Sequence, residues 1–426
     1  VTEAKNELDG YQKRLFVFLS VATFFEGYDF MALTQILPEL RADFGLDRTA
    51  GGLLLGVINV GTVVSYLLIR KADAWGRRRV LTVTIAGYTV FTGLSGLAPN
   101  VWIFGGLQLI ARIFLIAEWA TSMVIAAEEF PAARRGMVIG VIQAFVSLGA
   151  IICAGVVPLL KKLAPVDGPG FLWLAEGTDW GWRTIYFVGV LPLLVLAFAR
   201  RNLRETKRFE AEVGTQKKEH RSLFHVFRTP HKKRVLQLGA IWFTTYLCTQ
   251  NGVSFWKEYA VGEAGLTDGQ VGLAISIAAI GAMPLIFFAG RLIDVIGRRH
   301  GAAVIFSLGA SGVFFAYTFE SMIPLTLALV FGIFGASAPM PVLNAYNTEL
   351  FPTDVRGDAF AWSNNLIGRI GYVLSPGLVG IIADEVGAWG PVLQVTAIFP
   401  IVAIGMIYAM LPETRAKDLS ETAAMH

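Results

Sequence analysis

The sequence predicts an all-α membrane protein with twelve transmembrane helices arranged as two pseudo-symmetric six-helix bundles. Three observations carry that reading. The 426 residues are 54% hydrophobic and only 16% charged, whereas a soluble domain holds about 25% charged residues. Twelve apolar stretches lie between charged or Pro/Gly breaks, each near the roughly 20 residues that a helix needs to cross the hydrocarbon core. Two charged motifs also recur at one shared offset of 221 residues. Asp73, Gly76, Arg77 and Arg78 reappear as Asp294, Gly297, Arg298 and Arg299. Glu128, Pro131, Arg135 and Gly136 reappear as Glu349, Pro352, Arg356 and Gly357. Two echoes at one offset argue for a duplicated half, a common build among membrane proteins.

The first bundle, residues 1–200, holds spans at roughly 15–38, 51–69, 80–98, 102–127, 136–160 and 183–200. Residues 201–234 form a polar, strongly basic linker with too few apolar side chains for a core, though Leu223–Phe227 has an amphipathic pattern. The second bundle, residues 235–426, holds spans at roughly 235–256, 271–290, 301–319, 322–346, 358–383 and 390–411, then a short tail. The first stretch is too long for a cleavable signal and lacks a small-residue cleavage pattern, so a retained helix is expected. Gly is abundant, at 45 residues, as suits helices packed closely in lipid.

Positive charge alternates along the chain. The termini and even-numbered loops hold 28 Lys/Arg, the odd-numbered loops 6, and two lie inside spans. The positive-inside rule then places both termini and the linker in the cytoplasm of an inner or plasma membrane protein. Trp173, Trp180 and Trp182 in the long loop at about 161–182 are expected as an interfacial belt. Cys153 and Cys248 fall in apolar stretches of different halves, so neither a disulfide framework nor a metal site is expected.

Six plus six spans, a basic central loop and D-x-x-G-R-R after spans 2 and 8 resemble the major facilitator superfamily over nearly the whole chain. The resemblance implies that Asp73, Arg77, Arg78, Asp294, Arg298 and Arg299 tie cytoplasmic helix ends together and act as gates. The second copy has Gly290 four residues before its Asp; the first has Ile69 there. The E-x-x-P-x-x-x-R-G motif and the tail Pro412-Glu413-Thr414-Arg415 are similar to the limb with sugar porters, organic-ion transporters and bacterial aromatic-acid/proton symporters. That limb adds Glu128, Arg135, Glu349 and Arg356 to the expected gates.

Ionisable residues inside a span are expensive and are functional hypotheses by default. Glu26 and Asp29 lie three apart in span 1 and share a helix face. Two nearby carboxylates in low dielectric resist joint ionisation, which suits a proton site. The segment Glu26-Gly27-Tyr28-Asp29 is similar to the acidic D-G-x-D segment of aromatic-acid/proton symporters. Span 4 carries Arg112, a natural partner for either acid, and Glu118. Gln108 occupies the position where relatives often place Arg. Span 11 carries Arg369, and no clear acid falls within a second-half span. A guanidinium fork matches a carboxylate. The 221-residue offset maps Asp29 onto Gln250, Arg112 onto Ile333 and Arg369 onto Leu148, so the central charges do not repeat. Tyr28, Gln143, Trp242, Tyr246, Gln250, Asn251, Asn344, Tyr346, Trp362, Asn365 and Tyr372 are candidates for an aromatic-walled cavity with amide donors. Each of them alone is more often a packing or helix-hydrogen-bonding residue than a ligand, and it is the set that suggests the cavity.

The leading expectation is a monomeric, proton-coupled importer of a small organic anion, an aromatic or hydroxylated carboxylate, working by alternating access. The proton is the coupling ion and no cofactor is expected; membrane lipid is a partner and nucleic acid is not. An uncoupled organic-ion exchanger, a facilitator or a sugar-type porter is the alternative. A non-transporting sensor is the third reading, opposed by gating motifs in both halves. An enzyme is not expected: no paired His, Cys or nucleophile motif occurs in the spans, and His225, His231 and His300 lie in or beside loops.

Overall fold

Lipid offers no hydrogen bonds, so a spanning backbone must satisfy itself, and helices are the simple solution. The structure is a computed structural model that describes residues 8–164, 167–199, 223–352 and 355–415. The side chains of 71–74, 132–136, 195–199 and 223 lie outside that description. Most of the linker and the side chains of Asp73 and Arg135 therefore lie outside the described residues.

The first six helices are α1 (Gly10–Asp43), α2 (Arg48–Trp75), α3 (Arg77–Ser95), α4 (Val101–Glu129), α5 (Ala132–Leu163) and α6 (Trp180–Ala199). A 3-10 helix, Leu223–Arg228, precedes α7 (Lys232–Thr249), which continues as two short pieces, Asn251–Ser254 and Trp256–Gly262. Then come α8 (Asp268–Ile296), α9 (Arg298–Ala316), α10 (Met322–Glu349), α11 (Arg356–Val386) and α12 (Gly390–Met410). Nine of these are long and apolar enough to cross a membrane among the described residues. The others, α3, α6 and α7, run 19, 20 and 18 residues, and α3 and α7 open on clusters of basic residues. The architecture is the expected all-α pair of six-helix bundles.

The ends of the helices are set by local chemistry. Asp9 and Gln12 form a capping box at α1, and Thr267 and Gln270 form one at α8; each satisfies donors that a helix start leaves open. Asn100 accepts from the Ile103 N–H at the start of α4. Within α11, residues Ala361–Gly368 form a π-helical turn. The Arg369 N–H donates to the Asn364 carbonyl, five residues back. Such wide turns recur at functional sites.

The described residues divide into two compact units, one within 1–44 and 57–219, the other within 45–56 and 220–426. In the first, α1 and α5 pack backbone to backbone. A Cβ at Gly27 would strike the Val146 carbonyl, and one at Gly149 the Phe24 carbonyl. The Leu15, Leu19, Leu81, Phe130 and Ile142 cluster closes one end of this unit. The second unit has a larger core in which Trp242, Ile305, Phe306, Leu343, Tyr346 and Ile407 are buried.

Candidate functional site

The first unit sorts the four expected coupling residues into two places. Asp29 on α1 and Arg112 on α4 form an ion pair at 3.8 Å, with side-chain exposures of 5% and 6%. Close approach of α2 at Gly61, whose Cβ position abuts Leu109 and Arg112, helps to seal the pair. The Tyr88 hydroxyl on α3 donates to the Phe25 carbonyl at 3.5 Å and lies close enough to Asp29 to act on it electrostatically. Tyr28, one residue before Asp29, donates instead to the Ile185 carbonyl at 3.2 Å. A charge pair held this way is costly to break from one side only.

Glu26 is a turn away and faces elsewhere. It lines a narrow crevice with Thr23, Leu115, Glu118, Trp119 and Ser122. Glu118 is buried and accepts from Thr84 Oγ1 at 2.6 Å and Ser122 Oγ at 3.5 Å. Next to that crevice, Trp119 Nε1 donates to Gln143 Oε1 at 3.3 Å, and Gln143 Nε2 approaches the Met123 sulfur at 3.4 Å. Sequence reasoning missed Thr84, Tyr88 and Trp119. Their types are common in any span, and only their contacts mark them.

The second unit gathers aromatic and amide groups beside the π-helical turn. Tyr246 on α7 stacks on Trp242, with ring centroids 5.3 Å apart, and meets Tyr372 of α11 edge-on at 5.4 Å. Its hydroxyl donates to Asn364 Oδ1 at 2.9 Å. Arg369 lies close enough to Tyr246 to act on it electrostatically. Asn365 is half-buried on the same turn. Asn364, absent from the sequence candidates, is the amide that meets the tyrosine.

The other candidates have their own surroundings. Asn251 Nδ2 donates to Ser375 Oγ at 2.5 Å and to the Leu247 carbonyl, bracing the break in α7. Gln250 Nε2 donates to Ser254 Oγ. Tyr346 is fully buried in the core. Trp362 packs on Phe224 and Phe227 of the 3-10 helix, and Asn344 is exposed. The helical path of α7 runs on to Gly262, past the expected end at 256, and buries Lys257 and Glu258. Lys257 pairs with Asp268 at 3.0 Å. Its apolar and aromatic neighbours carry the helix beyond the charge that looked like a stop.

The repeated motifs turn out to be each other's partners. Arg77 Nη2 lies 3.3 Å from Glu128 Oε1, and Arg298 Nη2 lies 2.7 Å from Glu349 Oε1. Gly76 and Gly297 precede α3 and α9 with φ of 94° and 96°, a region that L side chains avoid. Arg298 also reaches Asp294 Oδ1 at 2.5 Å. Arg356 Nε donates to the Phe351 carbonyl at 3.2 Å, while Arg78 is exposed. The tail adds a further clamp. The Glu413 carboxylate accepts from the backbone N–H of Arg298 and of Arg299, each at 2.9 Å, at the start of α9. Thr414 donates to Glu349, and Arg299 Nε to the Leu411 carbonyl at 2.8 Å. Burial raises the Glu413 carboxyl, but the N–H donors of Arg299, Arg298, Arg415 and Thr414 outweigh it and hold the group below its usual range. The helix start favours the anion in the same way.

Two helical bundles with a buried central ion pair and matching ion-paired motifs at their helix ends fit a membrane transporter. A family model described as Major Facilitator Superfamily matches residues 19–257 and 243–425. The chain belongs to that family. It is 25% identical over 401 residues to the sialic acid transporter NanX of Escherichia coli (strain K12), covering 91% of each chain. It is 26% identical over 394 residues to the cis,cis-muconate transport protein of Acinetobacter baylyi, covering 87% of this chain and 88% of the relative. Its fold is similar to a partially occluded inward open conformation of the xylose transporter XylE from E. coli. That match has a TM-score of 0.74 at 19% identity and covers 96% of this chain and 100% of the other.

Proposed function

We propose that the protein is a proton-coupled symporter that imports a small organic anion, an aromatic or hydroxylated carboxylate, by alternating access. The observation that carries the coupling is the buried Asp29–Arg112 pair. An ionised Asp29 holds Arg112; a protonated Asp29 releases it, and the released guanidinium is the signal that lets α1 and α4 shift. Glu26 and Glu118 supply a second acidic position on the same two helices.

For the substrate, Arg369 supports an anion, because its fork matches a carboxylate. Tyr246, Tyr372, Asn364 and Asn365 beside it offer ring faces and amide groups to a ring or a hydroxylated chain. Relatives named for sialic acid and cis,cis-muconate point to the same chemical class. Both termini are taken as cytoplasmic on the charge pattern, and the unit is taken as a monomer.

Proteoliposomes test the proposal directly. A pH gradient, acid outside, should drive accumulation of a carboxylate panel, and Arg369→Ala should lower uptake about tenfold or more, as for loss of a charge-assisted bidentate contact. Uptake that ignores the imposed gradient for every carboxylate would sink the coupling claim. Unimpaired carboxylate binding in Arg369→Ala would remove its receptor role and leave the exchanger or sugar-type reading.

A further inference from the structure

We infer that the groove where α8 lies against α9 and α10 is a binding site for one anionic phospholipid. It is a cavity of about 340 Å³ in the second unit, walled by Phe288, Leu292 and Val295 of α8, Leu308 of α9 and Phe334 of α10, with Arg291 on its lining. The walls are almost wholly apolar. The adjoining surface is apolar too: Phe287 is 77% exposed, Phe288 57% and Val295 57%. On a membrane helix, an exposed face of this kind meets acyl chains rather than water.

Arg291 makes the site selective. The next arginines along the chain are already committed. Arg298 is held by Asp294 and Glu349, and Arg299 by the Leu411 carbonyl. Arg291 is exposed and forms no ion pair or hydrogen bond among the described residues. It lies one to two turns from the end of α8 at Ile296. Leu285, which lines the far part of the groove, is six residues, about 9 Å, further into the helix. A guanidinium at the mouth and apolar walls leading inward match a phosphate headgroup with an attached chain. A free phosphate would use the arginine alone and leave the walls unfilled. The guanidinium fork also suits phosphate better than a zwitterion whose own ammonium competes for it.

Native mass spectrometry of the purified full chain tests this, with phosphatidylglycerol and phosphatidylcholine of identical chains as probes and glycerol phosphate as competitor. One phosphatidylglycerol should persist per chain where phosphatidylcholine is lost. Arg291→Gln should weaken its binding about fivefold, the effect of one basic residue near a charged headgroup. Leu308→Trp, which fills the groove and leaves the charge, should weaken both lipids. Both positions are at the surface, and circular dichroism checks that each variant folds. Equal retention of the two lipids, retention unchanged by both substitutions, or displacement by glycerol phosphate alone would each overturn the assignment.

Discussion

Neutralising one member of the Asp29–Arg112 pair should do far more damage than neutralising both. At the observed 3.8 Å, the direct attraction is about 4 kcal/mol at an effective dielectric constant of about 20. Both side chains are about 5% exposed, so solvent does little to screen the survivor. Asp29→Asn leaves the guanidinium buried without its counter-charge, and Arg112→Gln leaves the carboxylate so. Each should destabilise the protein by about 3–5 kcal/mol. The double variant removes both charges and should cost no more than either single one, giving a coupling energy of about 3 kcal/mol. Equilibrium unfolding in mixed micelles measures the four stabilities. Transport separates the roles: Asp29→Asn should keep substrate counterflow and lose accumulation driven by a pH gradient. Additive single effects, or gradient-driven accumulation that survives Asp29→Asn, would refute the reasoning.

The region of the second repeated motif offers two further tests. Gly297→Ala should destabilise by about 1–3 kcal/mol from the backbone conformation alone. A further loss is expected because its Cβ would lie 2.9 Å from a Glu413 carboxylate oxygen; Gly76→Ala should show the backbone part, and equal melting of wild type and Gly297→Ala would refute the constraint. The Glu413 carboxyl is held below its usual range, so its contribution is present above the unfolded value of about 4.3 and is lost as pH falls through the lower folded value. Wild type should therefore lose stability on acidification more steeply than Glu413→Gln, and parallel pH profiles for the two would count against the clamp.

Much of the site was legible as residues and little of it as contacts. Asp29 and Arg112 stand out because charge inside an apolar run is rare, and they do meet. Glu26 stood out for the same reason, yet it faces the Glu118 crevice. A shared helix face is a broad sector, and helix rotation decides what each member of it touches. Trp362 and Asn344 are cavity candidates by type; the structure adds that Trp362 packs on the 3-10 helix and that Asn344 is exposed. Asn364 went unnoticed beside Asn365 because a wide π turn changes which residue points at Tyr246. The Glu413 clamp lay in a four-residue tail motif whose partner is 115 residues away.

By itself, the sequence determined the membrane class, the twelve-helix plan, the repeat and the positions of the charged motifs. Those follow from hydropathy and charge along the chain, which are local properties that lipid enforces residue by residue. Only the tertiary structure decided that the two repeated motifs bind each other, that Asp29 rather than Glu26 holds Arg112, and that Arg291 has no ion-pair partner among the described residues beside an apolar groove. Each of these depends on where helices far apart in sequence cross and how each is turned about its axis. Small residues such as Gly27, Gly61 and Gly149 govern those crossings by letting backbones touch, and the crossings, not the spacing, choose which charges pair.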